Sequence, residues 1–418
     1  MQKTSLPPHW PRFTQEEADA VARVLLSNCV NQWTGEEVRN FEKEFAAWCG
    51  ADYAVALTNG TVALDLALNG LGIGAGDDVI VTPRSFIASA SCVVNAGANP
   101  IFADLDRHSG NLSADTIKAA LTERTKAVIL VHLAGYPCDM DPIVALSKKH
   151  GFQIIEDCAQ AHGARYKGKP VGAFGAVAAW SFCQDKIMTT GGEGGMVTTN
   201  DQDLWRRMWS FKDHGKDMEA IKRTDHPPGH RFIHTTIGTN WRMLEMQAVI
   251  GRIQLKRMDD WHAARTRNGE RLARCLQPFA DEVWGGNARN GEGCIRLYGL
   301  PCASCSGDCT TSSSCAHAYY RYHFFVQPER LKDGWTRDRI VDAIVDAGVT
   351  CQQGTCSEIY EEGAFRNGPY YPSSPRIVAR ELGRTSVMLR TDPSLTDKDL
   401  DQMCTVLRDV LTAASQSC

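Results

Sequence analysis

Short apolar runs alternate with helix-like spacing of apolar residues over roughly residues 50–200. The runs are YAVAL, DDVIVT, NPIFADL, KAVILVHLA, QIIED and AVAAWSF, and helical patterns begin at Thr61, Ser85, Ser113 and Asp141. Strands that alternate with helices form βαβ units, whose right-handed crossovers give a mostly parallel sheet covered on both faces. The pattern therefore predicts a large α/β domain.

Helical patterns also flank this region. Thr14 and Glu17 match a capping box, and the apolar spacing that follows predicts an amphipathic helix at the start of the fold. On the other side, residues 240–276 predict one long helix that could bridge two domains.

The order of elements changes beyond roughly residue 265. The strands IRLYGL, YYRYHFFVQ and VMLRTDPS are accompanied by the helix TRDRIVDAIVDAG and by a terminal helix from Thr396. This order predicts a smaller α+β domain. We therefore expect two domains, residues 1–262 and residues 263–418, with a Cys-rich insertion near residues 294–315 in the second.

Composition narrows the class of protein without naming a function. The 418 residues are 43% hydrophobic and 22% charged, which is ordinary for a soluble globular protein with a large core. A net charge of −4 gives no reason to expect nucleic acid or an acidic membrane surface as a partner. No apolar stretch is long enough to span a bilayer, so we expect a cytoplasmic protein.

The first candidate site is the turn in ALTNGTVALDLAL. Leu64, Leu68 and Leu71 have helical spacing, so Gly60 and Thr61 are predicted at a helix N-terminus that follows a strand. Backbone N–H groups at the positive end of a helix dipole suit a phosphate. Many strand-to-helix turns contain glycine and bind nothing, so this signal is weak when taken alone.

Two ionisable residues follow in the same predicted sheet. Asp157 ends the apolar strand QIIED, where parallel sheets bind ligands, although an internal salt bridge or a helix cap is also compatible with one acid. Lys186 stands between a predicted strand and the glycine-rich segment TTGGEGGM. A lysine there could simply project into solvent. If it is buried, its pKa falls and its amine becomes a nucleophile that can form a Schiff base.

The three features together suit one cofactor. A helix N-terminus can hold a phosphate, a buried aspartate can pair with a pyridinium nitrogen, and a buried lysine can bind an aldehyde. These are the functional groups of pyridoxal 5′-phosphate. The sequence therefore predicts a pyridoxal phosphate site at the carboxyl ends of the parallel strands.

Over nearly its whole length the chain resembles the DegT/StrS family of sugar aminotransferases. The motifs that carry the resemblance include NGTVALDLAL, TPRSFIASAS, EDCAQAHGA, SFCQDKIMTTGGEGGM and GTNWRMLEMQAVIGRIQL. The family implies fold type I of the pyridoxal phosphate enzymes. In that fold a mostly parallel seven-stranded sheet flanked by helices forms the large domain, and a smaller α+β domain follows.

The resemblance also implies roles for individual residues. Lys186 matches the Schiff-base lysine and Asp157 matches the partner of the pyridine nitrogen. The other matched positions contact the cofactor: the phosphate ligands Gly60, Thr61 and Ser181, the stacking Phe86, Gln160 near the ring hydroxyl, and Asn240. Because the family's asparagine at position 240 reaches the phosphate from the neighbouring subunit, we expect a homodimer with a shared active site.

The implied reaction is transfer of an amino group from glutamate or glutamine to a keto-sugar. The sugar would most often be a nucleotide-linked keto-deoxysugar, used to make an amino sugar for a surface polysaccharide or a glycosylated natural product. Two alternatives stay open: an inosose or aminocyclitol precursor as substrate, and a regulatory protein that retains pyridoxal phosphate without turnover. The complete set of Lys186, Asp157 and Gln160 favours turnover over a binding function.

Histidines are also present in the matched motifs. His162 and His214 are interpreted as structural or pocket-lining residues, since the cofactor lysine already provides acid–base catalysis.

A cysteine cluster departs from the family pattern. Cys302, Cys305, Cys309 and Cys315 lie in a Ser/Gly/Thr-rich segment, with Cys294 upstream. Four nearby thiols can hold zinc or an iron–sulfur cluster. Unligated thiols and disulfides are the alternatives, although the reducing cytosol disfavours disulfides. Because the segment has no apolar side chains to pack, we expect one metal centre with a structural role in the small domain.

Overall fold

A computed structural model describes residues 10–225, 231–282, 293–298 and 315–416 of the chain. Nine strands belong to the first part of the described chain: β1 (Tyr53–Leu57), β2 (Asp78–Val81), β3 (Asn99–Phe102), β4 (Thr125–Val131), β5 (Gln153–Asp157), β6 (Arg165–Tyr166), β7 (Lys169–Pro170), β8 (Val177–Ser181) and β9 (Gly195–Thr199). Five follow: β10 (Ala280–Glu282), β11 (Ile295–Leu297), β12 (Tyr322–Val326), β13 (Cys351–Gln352) and β14 (Ser386–Leu389).

The α-helices lie between and around these strands. They are α1 (Gln15–Leu26), α2 (Glu37–Cys49), α3 (Gly60–Gly70), α4 (Ala88–Asn95), α5 (Ala114–Ala120), α6 (Met140–His150), α7 (Gln202–Lys212), α8 (Met218–Lys222), α9 (Glu245–Leu255), α10 (Met258–Leu276), α11 (Arg337–Asp346), α12 (Gly363–Arg366), α13 (Ile377–Thr385) and α14 (Asp397–Ala414). Short 3-10 helices occur at Leu133–Gly135, Gln277–Phe279, Pro328–Arg330 and Ile359–Glu361.

The predicted large sheet is confirmed. It has seven strands in the order β1-β9-β8-β5-β4-β2-β3, and the pairs β2–β3, β2–β4, β4–β5 and β5–β8 are parallel. Strand β9, which the sequence pattern did not predict, runs antiparallel between β1 and β8. Helices cover both faces of the sheet, so its central strands are buried beyond their first one or two residues and consist mainly of Val, Ile, Leu and Ala.

The smaller α+β region is also confirmed. Its five strands have the order β10-β11-β12-β14-β13, and β12 pairs antiparallel with β14. Helices α10, α11 and α14 pack their apolar side chains against this sheet. The division at residues 262 and 263 stays a prediction, and it falls inside helix α10.

Helix boundaries differ from the sequence predictions in two places. The capping box at Thr14 and Glu17 is present, but the expected long helix over residues 240–276 is two helices, α9 and α10. The break is at Lys256 and Arg257, where the Arg257 guanidinium forms ion pairs with Glu16 and Glu17. The helix expected from Ser85 begins at Ala88, because residues before it turn at the end of strand β2.

Among the residues that the structure describes, no helix is long and apolar enough to span a lipid bilayer.

A buried carboxylate fixes the connection between β5 and β8. Glu156 accepts hydrogen bonds from the backbone N–H groups of Gly172, Phe174 and Gly175 at 2.6–2.8 Å. His132 Nε2 lies 3.1 Å from the same carboxylate, and its Nδ1 accepts from the Cys138 N–H group. Burial raises the pKa of Glu156, but these hydrogen bonds outweigh burial and hold the pKa below its ordinary value. Because hydrogen-bond donors occupy both oxygens of the Glu156 carboxylate, we interpret this cluster as a structural clamp.

Glu156→Ala tests the clamp. The substitution leaves three backbone N–H groups and His132 without their buried acceptor, so we expect the free energy of unfolding to fall by about 3–5 kcal/mol in a denaturant titration. Glu123→Ala, at an exposed position, should change it by less than about 0.5 kcal/mol. Equal effects of the two substitutions would contradict the clamp.

Candidate active site

A cavity of about 500 Å³ opens at the carboxyl edge of the parallel strands. Seven of the eight residues predicted to contact a cofactor line it: Gly60, Thr61, Phe86, Asp157, Gln160, Ser181 and Lys186. They come from four separate places in the chain, at or just after the ends of β1, β2, β5 and β8. The sheet therefore brings together residues that are up to 126 positions apart in sequence, from Gly60 to Lys186.

Asp157 lies at the base of the cavity with only 5% of its surface exposed. One carboxylate oxygen accepts from the Ser89 hydroxyl at 2.8 Å, and the other accepts from the Ala159 N–H group at 3.1 Å. Burial raises the pKa of Asp157 despite these hydrogen bonds. A cationic ligand group in the cavity would offset this cost, which fits a protonated pyridine nitrogen.

The N-terminus of helix α3 also lines the cavity. The Asn59 side chain caps the helix by accepting from the Val62 N–H group at 3.0 Å. The first-turn N–H groups of Gly60 and Thr61 have no acceptor within the helix. A Cβ atom at Gly60 would lie 2.6 Å from the Ser181 Cβ and 2.9 Å from its hydroxyl oxygen. The missing side chain thus lets Ser181 and the helix end meet, which fits a phosphate group.

Gln160 and Phe86 line the same cavity. The Gln160 side-chain oxygen accepts from the Ala134 N–H group at 2.7 Å, so its amide nitrogen is the group left to meet a ligand oxygen. Phe86 exposes 67% of its surface, which is unusual for a large apolar side chain. A planar ligand in the cavity would cover part of this exposed ring.

Lys186 lies in the loop between β8 and β9. Gly191 and Gly192, with φ of +90° and +124°, let the chain turn back after it into β9. The Lys186 side chain keeps 16% exposure, so it is largely but not fully buried. Its amine is held near Asp157, Asp185, Cys183 and Tyr320.

The expected fall in the pKa of Lys186 is wrong in this structure. Burial by itself lowers the pKa, but the neighbouring Tyr320, Asp185, Cys183 and Asp157 groups raise it above its ordinary value. Nearby acidic groups outweigh desolvation because they stabilise the ammonium form. Lys186 must therefore lose a proton before it can act as a nucleophile.

Asn240 is the one predicted cofactor contact that lies outside the cavity. It is exposed, and its backbone pairs with Asp213 in an antiparallel bridge. Asp213 in turn binds Arg242 at 2.6 Å and Lys216 at 3.0 Å. The structure therefore presents Asn240 on a braced surface loop of its own chain.

His162 is a structural residue. It is fully buried among Phe45, Trp180 and Phe182, and burial lowers its pKa to about 3. It does not line the cavity. His214 has a positive φ of 62° and marks a backbone turn, also away from the cavity lining.

Sequence reasoning assigned no role to several polar residues at the site, among them Ser89, Asp185 and Tyr320. Ser89 binds Asp157, and the Tyr320 hydroxyl donates to Asp185. Asp185 could have been noticed because it is adjacent to Lys186. Ser89 lies three residues after Phe86 in the motif TPRSFIASAS, but its hydrogen bond to Asp157 spans 68 residues and has no local pattern. Tyr320 gives no comparable signal, because it comes from a distant segment.

The cysteine prediction mostly lies outside the described residues. Cys302, Cys305 and Cys309 are in the undescribed range 299–314, so the metal centre stays a prediction. Cys315 is described and buried, and its sulfur accepts from the Lys167 N–H group at 3.3 Å.

Comparison with known proteins gives consistent matches. Residues 11–408 match the DegT/DnrJ/EryC1/StrS aminotransferase family. A GDP-perosamine synthase of Caulobacter vibrioides is 44% identical over 257 residues, which are 62% of this chain and 66% of that protein. The spore coat polysaccharide biosynthesis protein SpsC of Bacillus subtilis is 32% identical over 409 residues, 98% of each chain. The X-ray structure of the aminotransferase from Psychrobacter cryohalolentis superimposes with a TM-score of 0.90 at 52% identity, covering 97% of this chain and 98% of that one.

Gly60→Ala tests the phosphate end of the cavity. The new methyl group would displace Ser181, so we expect the affinity of the cofactor-free protein for pyridoxal phosphate to fall at least about tenfold in an absorbance titration. Gly363→Ala is the control, because a Cβ there meets nothing within 4 Å. If both variants bind pyridoxal phosphate like the wild type, the phosphate does not lie at this helix end.

Proposed function

Because the chain belongs to the DegT/DnrJ/EryC1/StrS aminotransferase family, we propose that it is a pyridoxal phosphate-dependent aminotransferase of amino-sugar biosynthesis. The observation that carries the proposal is one cavity lined by Lys186, Asp157 and the N-terminus of α3. The acceptor is a keto-sugar, most specifically a nucleotide-linked keto-deoxysugar, and the donor is glutamate or glutamine. The relatives named for perosamine and for spore coat polysaccharide support a sugar rather than an inosose.

The residues of the cavity have separate roles in the proposed reaction. Bound pyridoxal phosphate supplies an aldehyde for amines and a ring that accepts electrons. Asp157 would hold a proton at the ring nitrogen, Gly60, Thr61 and Ser181 would hold the phosphate, and Phe86 would orient the ring. Lys186 Nζ would take the proton from the donor's Cα as general base and would then return it as general acid.

The second half of the reaction reuses the same residues. The keto-sugar carbonyl oxygen would leave as water when its carbon takes up the amino group, and Lys186 Nζ would deliver to that carbon the proton that the transfer requires. The presence of Lys186, Asp157 and Gln160 in one cavity favours this turnover over a regulatory protein that only binds the cofactor.

We also propose a homodimer with a shared active site. Phe232 and Ile237 expose 78% and 91% of their surfaces, and Asn240 lies on the same exposed segment as Ile237. A second copy that covers this segment would remove apolar surface from water. It would also let Asn240 reach the phosphate end of its neighbour's cavity. The cytoplasmic location stays a prediction from the sequence.

Lys186→Ala tests the catalytic assignment. We expect the cofactor's visible absorbance band to be lost and 2-oxoglutarate formation from glutamate and a nucleotide-linked 4-keto-6-deoxyhexose to fall at least about a hundredfold. Lys222→Ala is the control, since Lys222 lies on the surface with 70% of its side chain exposed. Unchanged turnover in Lys186→Ala would exclude the assignment.

Mixed dimers test the shared site. Lys186→Ala and Asn240→Ala subunits are each expected to be nearly inactive alone. In a mixed dimer one site keeps Lys186 from one chain and Asn240 from the other, so random mixing should restore about a quarter of the wild-type rate. No recovery after verified subunit exchange would argue that Asn240 serves its own chain or has no role.

A further inference from the structure

Asp185 and Tyr320 form a polar contact beside the catalytic lysine. The Tyr320 hydroxyl donates to the Asp185 carboxylate, whose other oxygen lies 3.6 Å from Lys186 Nζ. Lys186 Nζ also lies 5.2 Å from the centroid of the Tyr320 ring. Tyr320 comes from the segment before β12 of the smaller sheet, 135 residues away from Asp185. The contact therefore ties the lysine loop of the large sheet to the smaller region.

The backbone of this loop is also held in place. Trp10 Nε1 donates to the Lys186 carbonyl oxygen at 2.9 Å, and the Lys186 N–H group donates to the Cys183 carbonyl oxygen at 3.0 Å. Tyr320 is buried, with 7% exposure, and Arg321 stacks over its ring at 4.6 Å. Because both the lysine backbone and the tyrosine ring are held, the carboxylate between them has little freedom to leave the amine.

Among the acidic groups around Lys186, Asp185 is the one whose charge can set the pKa of the amine. Asp157 has both oxygens engaged by Ser89 and Ala159 at the base of the cavity. Burial raises the pKa of Asp185, but Lys186, Tyr320 and Arg321 outweigh it and hold the pKa below its ordinary value. Asp185 is thus a carboxylate near neutral pH. Burial raises the pKa values of the Tyr320 hydroxyl and the Cys183 thiol, which leaves both neighbours uncharged there.

We propose that Asp185, held by Tyr320, is a positioning residue that keeps Lys186 Nζ at the cavity wall as an ammonium group and so sets the pH at which the amine becomes a base. The ion pair between Asp185 and Lys186 is present without the cofactor, and its role in catalysis rests on the proposed function. A carboxylate favours the ammonium form, so removing its charge lowers the pKa of Lys186 and releases the free amine at lower pH. The sequence position beside the lysine makes this effect specific to that amine.

The test measures Lys186 in the cofactor-free protein. Competitive acetylation at limiting reagent, read by mass spectrometry between about pH 8 and about pH 10.5, gives the pH dependence of the reactivity of each lysine. In Asp185→Asn we expect the Lys186 curve to move down by about one pH unit, and by less at high salt because Asp185 is half exposed. Tyr320→Phe should move it in the same direction by a smaller amount.

Glu193→Gln is the matched control. Glu193 lines the same cavity, but it is not among the main charges that shift Lys186, so this variant should leave the curve in place. A Lys186 curve in Asp185→Asn that coincides with that of Glu193→Gln would overturn the proposal. Far-ultraviolet circular dichroism and the curves of the remaining lysines verify that each variant is folded.

A second readout uses the cofactor-loaded enzyme. The pH profile of the donor half-reaction in Asp185→Asn should have its ascending limb at lower pH than the wild type. A merely structural role for Asp185 would instead lower the rate by the same factor at every pH. A shift in Lys186 reactivity without transamination would contradict the proposed function but support the ion pair. Transamination with an unshifted Lys186 would contradict the ion pair alone.

Discussion

The desolvated carboxylate of Asp157 is the constraint on which the rest of the site depends. Strand β5 lies in the middle of the seven-stranded sheet, so its last residue is enclosed by β4, β8 and the helices above them. Burial raises the pKa of Asp157 in the cofactor-free chain. A carboxylate in this position is costly unless a cation joins it, and the N-terminus of helix α3 lines the same cavity. The fold therefore holds one half of an ion pair and leaves space for the other.

Glu156, the residue before Asp157, is a carboxylate with a purely structural role. Glu156 precedes Asp157 on β5, and its side chain points to the opposite face because strand residues alternate. Three loop N–H groups and His132 fill its hydrogen-bonding capacity. Asp157 receives one hydroxyl and one N–H group and faces the cavity. Two adjacent acids thus differ in function because one is saturated by the protein and the other is left for a ligand.

The sequence could predict features that depend on local pattern. The parallel strands follow from apolar runs separated by helices, and Gly60 and Asp157 follow from their positions after strands. Pairings over long separations have no local pattern, which is why Ser89 on Asp157 and Tyr320 on Asp185 were not predicted. The direction of the Lys186 pKa was also missed, because desolvation and nearby acids act in opposite directions and only the structure gives their distances. The break between α9 and α10 depends on ion pairs of Arg257 with Glu16 and Glu17, from a segment about 240 residues earlier.

The central claim is that Lys186 is the covalent attachment point of the cofactor, and borohydride reduction tests it directly. Reduction of the pyridoxal phosphate-loaded protein fixes the cofactor to whichever amine carries it, and peptide mass spectrometry then identifies that residue. We predict one modified site, Lys186, in the peptide that also contains Asp185. A modification on another lysine, or none after saturation with the cofactor, would contradict the account.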